Sequence, residues 1–267
     1  MWLSWRWAAV LAVALGVAGR LWRRRSRSSA PELAVEASLV AGLYAVWQLI
    51  GTFTDRAVTG ASGHALWLWH LERRLHLPSE LTMQRAVIGH PLVVQAANVF
   101  YAVVHVPALG VFLFWLWFRH RDRYPFYRNA LAVLTFACFL VHLVPVAPPR
   151  LLPGVGFVDT AALYHQSVYG PMGTGISDQL SAMPSLHMAW AALIGWAVVR
   201  VSTSRWRWLV LAHPALTMLV VVVTGNHFWL DGVAAAVLLA VSLGAAAVID
   251  RVGVRRPEVA FAHAESG

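Results

Sequence analysis

The sequence predicts an all-α, polytopic membrane helical bundle, and three observations carry that prediction. Of 267 residues, 59% are hydrophobic and only 12% charged, with a mean hydropathy of +0.61, a balance suited to a chain solvated by lipid. Apolar stretches near the ~20 residues that cross a bilayer recur along the whole length. Between them the basic residues, all 21 of them arginine, gather in short runs instead of lying on one continuous face. That distribution makes the net charge of +9 a topology signal and excludes nucleic acid as a partner.

Taken in order, the apolar stretches give seven spans, roughly 7–22, 32–53, 91–118, 129–147, 185–200, 208–225 and 229–249. The first has a short apolar core, as a secretory signal peptide does. A signal peptide carries its charge ahead of that core, whereas Arg20, Arg23, Arg24, Arg25 and Arg27 follow it here. The reading is therefore a retained span within an N-terminal unit of residues 1–30, additional to a six-helix domain over 31–250 and followed by a disordered cytoplasmic tail over 251–267. Loops after spans one, three, five and seven hold 15 of the 21 arginines, which places those loops in the cytoplasm. Segment 55–90 is too polar to span. Its Leu66, Trp67, Trp69, Leu71, Leu75 and Leu77 alternate with His70, Glu72, Arg73, Arg74 and His76, the mixture of an interfacial helix. Most of the fourteen tryptophans fall near span ends, as an aromatic belt requires. Cys138, the single cysteine, lies inside an apolar stretch and forms no intrachain disulfide.

Three polar islands fall on the opposite, extracytoplasmic side. His227 and Asp231 stand four residues apart at the start of span seven, so both share one helix face. There the carboxylate holds the imidazole tautomer and leaves the other ring nitrogen able to attack. His187 follows Pro184-Ser185 at the start of span five, where unpaired amides, the helix dipole and the Ser185 hydroxyl attract an anion. Pro148-Pro149-Arg150 ends span four, and a guanidinium fork matches phosphate oxygens. Asn226 lies beside the second histidine. The loop over 151–183 is long for a simple connection and reads as a lid or acceptor pocket over the same face. Within the spans, Gln95, Asn98, His105 and His142 either line a cavity or bond between helices.

These motifs, Pro-Pro-Arg150, Met183-Pro184-Ser185-Leu186-His187 and Asn226-His227-Phe228-Trp229-Leu230-Asp231, resemble the membrane-bound type 2 phosphatidic acid phosphatases. The branch containing inositol phosphorylceramide synthases and their bacterial relatives is the nearer one. The resemblance implies a six-helix core over spans two to seven, a lipid phosphate substrate taken from the bilayer, and no metal or cofactor. It further implies that His227 is a nucleophile forming a phosphohistidine, Asp231 its orienting partner, and His187 the acid that protonates the leaving alcohol. Arg150, Ser185 and Asn226 would then bind the phosphate.

The chain departs from that family's pattern in three places. It has no lysine, has Leu186 where the second motif usually has glycine, and runs Val220 to Gly225 where the third motif usually has arginine. The phosphate clamp is therefore thinner than a broad phosphatase's, and transfer of a headgroup phosphate to a second alcohol fits the nearer branch equally well. Two other classes remain open from the residues themselves. One is a metal site formed by His187, His227 and Asp231, and the other a non-catalytic carrier or scaffold for a lipid phosphate. Arginine-only basic usage with abundant alanine and valine fits a GC-rich bacterial genome, which makes the outer face extracytoplasmic.

Overall fold

The computed structural model describes residues 3–23, 30–54, 58–167 and 179–254. Arg24, Arg25, Arg27, Arg56, positions 168–178 of the long loop and the tail from residue 255 lie outside the described residues. The N-terminal hairpin consists of α1 (Trp5–Arg23) and α2 (Ala30–Thr54), followed by α3 (Val58–Arg74) and α4 (Glu80–Ile88). Next come α5 (Pro91–Val103), α6 (His105–Arg119), α7 (Tyr124–Val141) and the short α8 (Thr160–Leu163). The chain closes with α9 (Leu186–Val201), α10 (Ala212–Val223) and α11 (Trp229–Val254).

Five of the seven expected spans have helices long and apolar enough to cross a bilayer, while α1, at the first, and α9, at the fifth, fall short of that. By length and apolarity, α2, α7, the 3₁₀ turn Arg205–Leu211 continued by α10, and α11 each suffice to cross a bilayer. Residues 91–118 form one broken span, α5 and α6, bent by 48°. The fourth span is displaced from the expected 129–147, because α7 begins at Tyr124, with Pro125 in its first turn, and ends at Val141. Residues 142–147 leave the helix and run on as turn and extended chain. Pro145 has no amide to continue a helical ladder, and Val146 and Ala147 give theirs to the carbonyls of Leu180 and Ala61. The expected interfacial helix over 55–90 is two helices, α3 and α4, joined by a turn.

The core lies between α6, α7, α9 and α11, where Leu116, Leu134, Cys138, Leu193, Ala197 and Ala235 are all fully buried. Gly232 permits the approach of α10 to α11, since a Cβ there would stand 2.6 Å from Met218 Sδ. The α1–α2 hairpin packs on α7, and at its charged end Glu32 pairs with Arg121 while Glu36 meets Arg128 at 2.5 Å.

At 16 residues α9 is about 24 Å long, shorter than the ~30 Å hydrocarbon layer, so a bilayer crossed by it would reach past its ends onto irregular chain. Irregular backbone survives there only if its polar groups are paired within the protein. In a short parallel pairing Val146 N donates to Leu180 O and Val146 O accepts from Ala182 N, and Arg150 N donates to Gly225 O at 2.9 Å. Ala61, Ala65 and Leu68 of α3 pack with Val146, Ala147, Leu180, Ala182 and Phe228, covering this end of the bundle.

Candidate active site

Three chain segments meet at the covered end: the strip around Arg150, the N-terminus of α9, and the turn from α10 into α11. The turn begins at Gly225, whose φ of +68° suits a residue without a Cβ. Thr224 closes α10 by returning its hydroxyl to Val220 O at 2.7 Å, and the amides of Asn226 and His227 both bond back to Val221 O. His227 is thus presented between two helices with its backbone fixed.

Its ring is fixed as well. His227 Nδ1 lies 2.7 Å from Ala182 O and 3.2 Å from Asp231 Oδ2. A backbone carbonyl only accepts, so Nδ1 carries the proton and the lone pair belongs to Nε2. Asp231 Oδ2 also accepts Phe228 N at 2.8 Å, the return bond of a capping box at the first turn of α11. The carboxylate is fully buried, as an orienting group whose bonds are made inside the protein.

Ser185 caps α9, accepting from Met188 N at 3.3 Å, and its own amide reaches Asp231 O at 3.3 Å. The cap bond uses the Ser185 oxygen as an acceptor and not its O–H. His142, one of the in-span polar residues, holds this turn through Nε2 to Pro184 O at 3.1 Å. His187, in the first turn of α9, is half-buried, and its ring centroid stands 6.2 Å from that of His227. Tyr101 packs against both rings, at 4.4 Å from His187 and 6.5 Å from His227. His105 contacts His187 at 4.7 Å and is itself tied to Thr217 Oγ1 at 3.3 Å.

Arg150 is buried, with 2% of its side chain exposed, and therefore does not snorkel. Its Nη1 donates to Asn226 Oδ1 at 2.5 Å, and Nε lies 3.3 Å from Asp159 Oδ2. Asn226 gives its amide to Thr224 Oγ1 at 2.8 Å, so both ends of that side chain are used in aiming the guanidinium. The described part of the long loop is anchored beside it. Gln84 of α4 bonds both Val158 N and Val158 O, while Asn98 of α5 bonds Thr160 and Gln166.

All six residues singled out from the sequence, Arg150, Ser185, His187, Asn226, His227 and Asp231, fall in this one region. Among the described residues, no three His, Cys, Asp or Glu side chains are grouped so as to hold a metal ion, and His187, His227 and Asp231 do not form such a group. Sequence reasoning missed Tyr101, Asp159, Gln84 and the Ala182 carbonyl. It also missed Glu72, which is fully buried and accepts Leu230 N at 2.7 Å. A backbone carbonyl leaves no mark in a sequence, but Glu72 does: Ala61, Ala65, Leu68 and Glu72 fall on one helix face, and all four are buried.

An all-helical, multi-pass membrane bundle with an imidazole–carboxylate pair, a second histidine and a buried arginine at one end defines a class of membrane protein equipped to handle phosphate esters. The chain belongs to the PAP2 superfamily: that family's model matches residues 66–245, about two thirds of its length, from the middle of α3 into α11. Family membership supports a phosphatase-type activity on lipid phosphates in general. No curated protein and no solved structure matches the chain.

Proposed function

We propose that the protein is an integral-membrane lipid-phosphate phosphatase that works through a phosphohistidine on His227, at the extracytoplasmic face of a cell membrane. The observation that carries this reading is the anchoring of His227 Nδ1 by two acceptors, which commits Nε2 to nucleophilic attack. The Nε2 lone pair attacks phosphorus while the bond to the lipid oxygen breaks, and His187 gives its proton to that oxygen. Water, giving a proton to His187, then attacks phosphorus; the new phosphorus–oxygen bond forms as the phosphorus–nitrogen bond breaks, returning the lone pair to His227 Nε2 and releasing inorganic phosphate. The two ring centroids stand 6.2 Å apart, close enough for both imidazoles to face one phosphoryl group. Arg150, aimed by Asn226 and joined by first-turn amides of α9, neutralises the equatorial oxygens. The thin arginine-only clamp favours transfer to a second alcohol as the alternative outcome, in which an acceptor hydroxyl replaces water in the second step.

The test presents purified wild type and His227→Ala with dioleoyl phosphatidic acid, dioleoyl phosphatidylglycerol phosphate and undecaprenyl pyrophosphate, with and without inositol or glycerol. Free phosphate from wild type alone supports the phosphatase. Phosphate appearing only on the added alcohol supports the transferase, and turnover by His227→Ala contradicts both.

A further inference from the structure

The α3–α4 hairpin does more than lie along the membrane surface. It touches the turn carrying His227 at two places, with Gln84 beside Gly225 and Glu72 bonded to Leu230 N. A third tether joins Trp229 Nε1 to Pro78 O at 2.9 Å. Glu72 and Glu80 are both fully buried, Arg73 next to Glu72 in the chain bonds Glu80, and each of the two carboxyl groups keeps one oxygen without a partner.

The oxygens account for the proton. Glu72 Oε1 accepts Leu230 N, and Glu80 Oε2 accepts Arg73 Nη2 at 2.9 Å. Glu72 Oε2 and Glu80 Oε1 are buried with no N–H or O–H donor from any other group. Two bare carboxylates cannot bond each other, but one proton between them satisfies both oxygens. Arg73 then balances the single remaining charge on Glu80. The charged and titratable groups around Glu72 are Glu80 of α4, Arg73 of its own helix, and Asp231 with its partner His227 on the adjoining turn. Burial, followed by Glu80, pushes the Glu72 carboxyl up to about 9.

We propose that Glu72 and Glu80 form a proton-sharing carboxyl pair through which the interfacial hairpin positions the His227–Asp231 turn, making Glu72 a positioning residue for the reaction. The proposal rests on the role given above to His227. A neutral Glu72 accepts from the first turn of α11 without placing a second full negative charge beside Asp231. An ionised Glu72 would set three carboxylates against one arginine.

Turnover on the same three lipids is compared for wild type, Glu72→Gln, Glu72→Ala and His227→Ala, each first checked for a cooperative thermal transition. Gln keeps the geometry, since its carbonyl accepts Leu230 N–H and its amide donates to Glu80. Glu72→Gln therefore retains kcat within about threefold of wild type at pH 7, while Glu72→Ala loses about tenfold to a hundredfold in kcat with little change in KM. The ratio of wild-type to Glu72→Gln turnover stays near one up to about pH 8 and falls as pH rises through about 9, because only wild type has the shared proton to lose. The inference is overturned if His227→Ala is inactive while Glu72→Ala matches wild type, or if the ratio is flat across that range. Turnover by His227→Ala would instead overturn the phosphatase reading, and with it the positioning role.

Discussion

Replacing Asp231 with Asn separates two services that a carboxylate renders a histidine, fixing its tautomer and stabilising its positive charge. In a site where the carboxylate alone fixes the tautomer, the loss reaches roughly 10⁴ in kcat. Here Ala182 O holds Nδ1–H at 2.7 Å, closer than Asp231 at 3.2 Å, so the tautomer survives the substitution. What disappears is the attraction between the carboxylate and the charge that develops on the ring during attack. For half a unit charge at 3.2 Å and an effective dielectric of about 20, that attraction is about 2.6 kcal/mol, or roughly eightyfold in rate. Asp231→Asn is therefore expected to lower kcat by about a hundredfold, leave KM nearly unchanged, and remain well above His227→Ala. Steady-state phosphate release from detergent-purified proteins, with thermal unfolding to confirm the fold, measures it. A variant as inactive as His227→Ala would refute the argument that Ala182 holds the tautomer, and an unimpaired variant would refute the role of the charge.

Arg150→Lys keeps the charge but loses the fork that reaches Asn226 and Asp159 together, so KM for the lipid phosphate should rise about tenfold or more with a smaller change in kcat. Initial rates against substrate mole fraction decide this. Gly225→Ala forces a Cβ onto a φ of +68° within 3.0 Å of Gln84 Nε2 and 3.3 Å of Arg150 Cβ. It should cost about 1–2 kcal/mol of stability and reduce turnover, seen as a lowered Tm and a lowered kcat in one preparation. Glu72 predicts the sign of a stability profile. Its carboxyl is raised from 4.5 to about 9 in the folded protein, so the folded state holds the extra proton and its advantage is lost as pH climbs through that window. The Tm of Glu72→Gln minus that of wild type should increase from pH 5 to pH 9, and an unchanging difference would contradict the buried shared proton.

Much of this architecture was legible because membrane spans write themselves in composition. The six expected spans of the core lie near α2, α5–α6, α7, α9, α10 and α11, and all but α9 are apolar runs long enough to cross a bilayer. The boundary that failed, residues 142–147, is apolar enough to continue a helix but is claimed by long-range backbone pairing to Leu180 and Ala61, which no local pattern announces. The six candidate residues stood out because polar and ionisable side chains are unusual at span ends. Two of their roles were less visible. Ser185 also caps α9 by accepting from Met188 N, and Asn226 also links Arg150 to Thr224, second tasks that no local pattern marks. Glu72 was hidden among the charges of an interfacial helix, although its place on the stripe of Ala61, Ala65 and Leu68 marks it as inward-facing.

The central claim is that His227 becomes phosphorylated, and it is tested most directly by quenching wild type with a phosphorus-32-labelled lipid phosphate during turnover and mapping the label by mass spectrometry. The account predicts a base-stable, acid-labile phosphoramidate on His227 that is absent from His227→Ala. Label on another residue, or turnover that leaves no trapped phosphoenzyme under any quench, would contradict it.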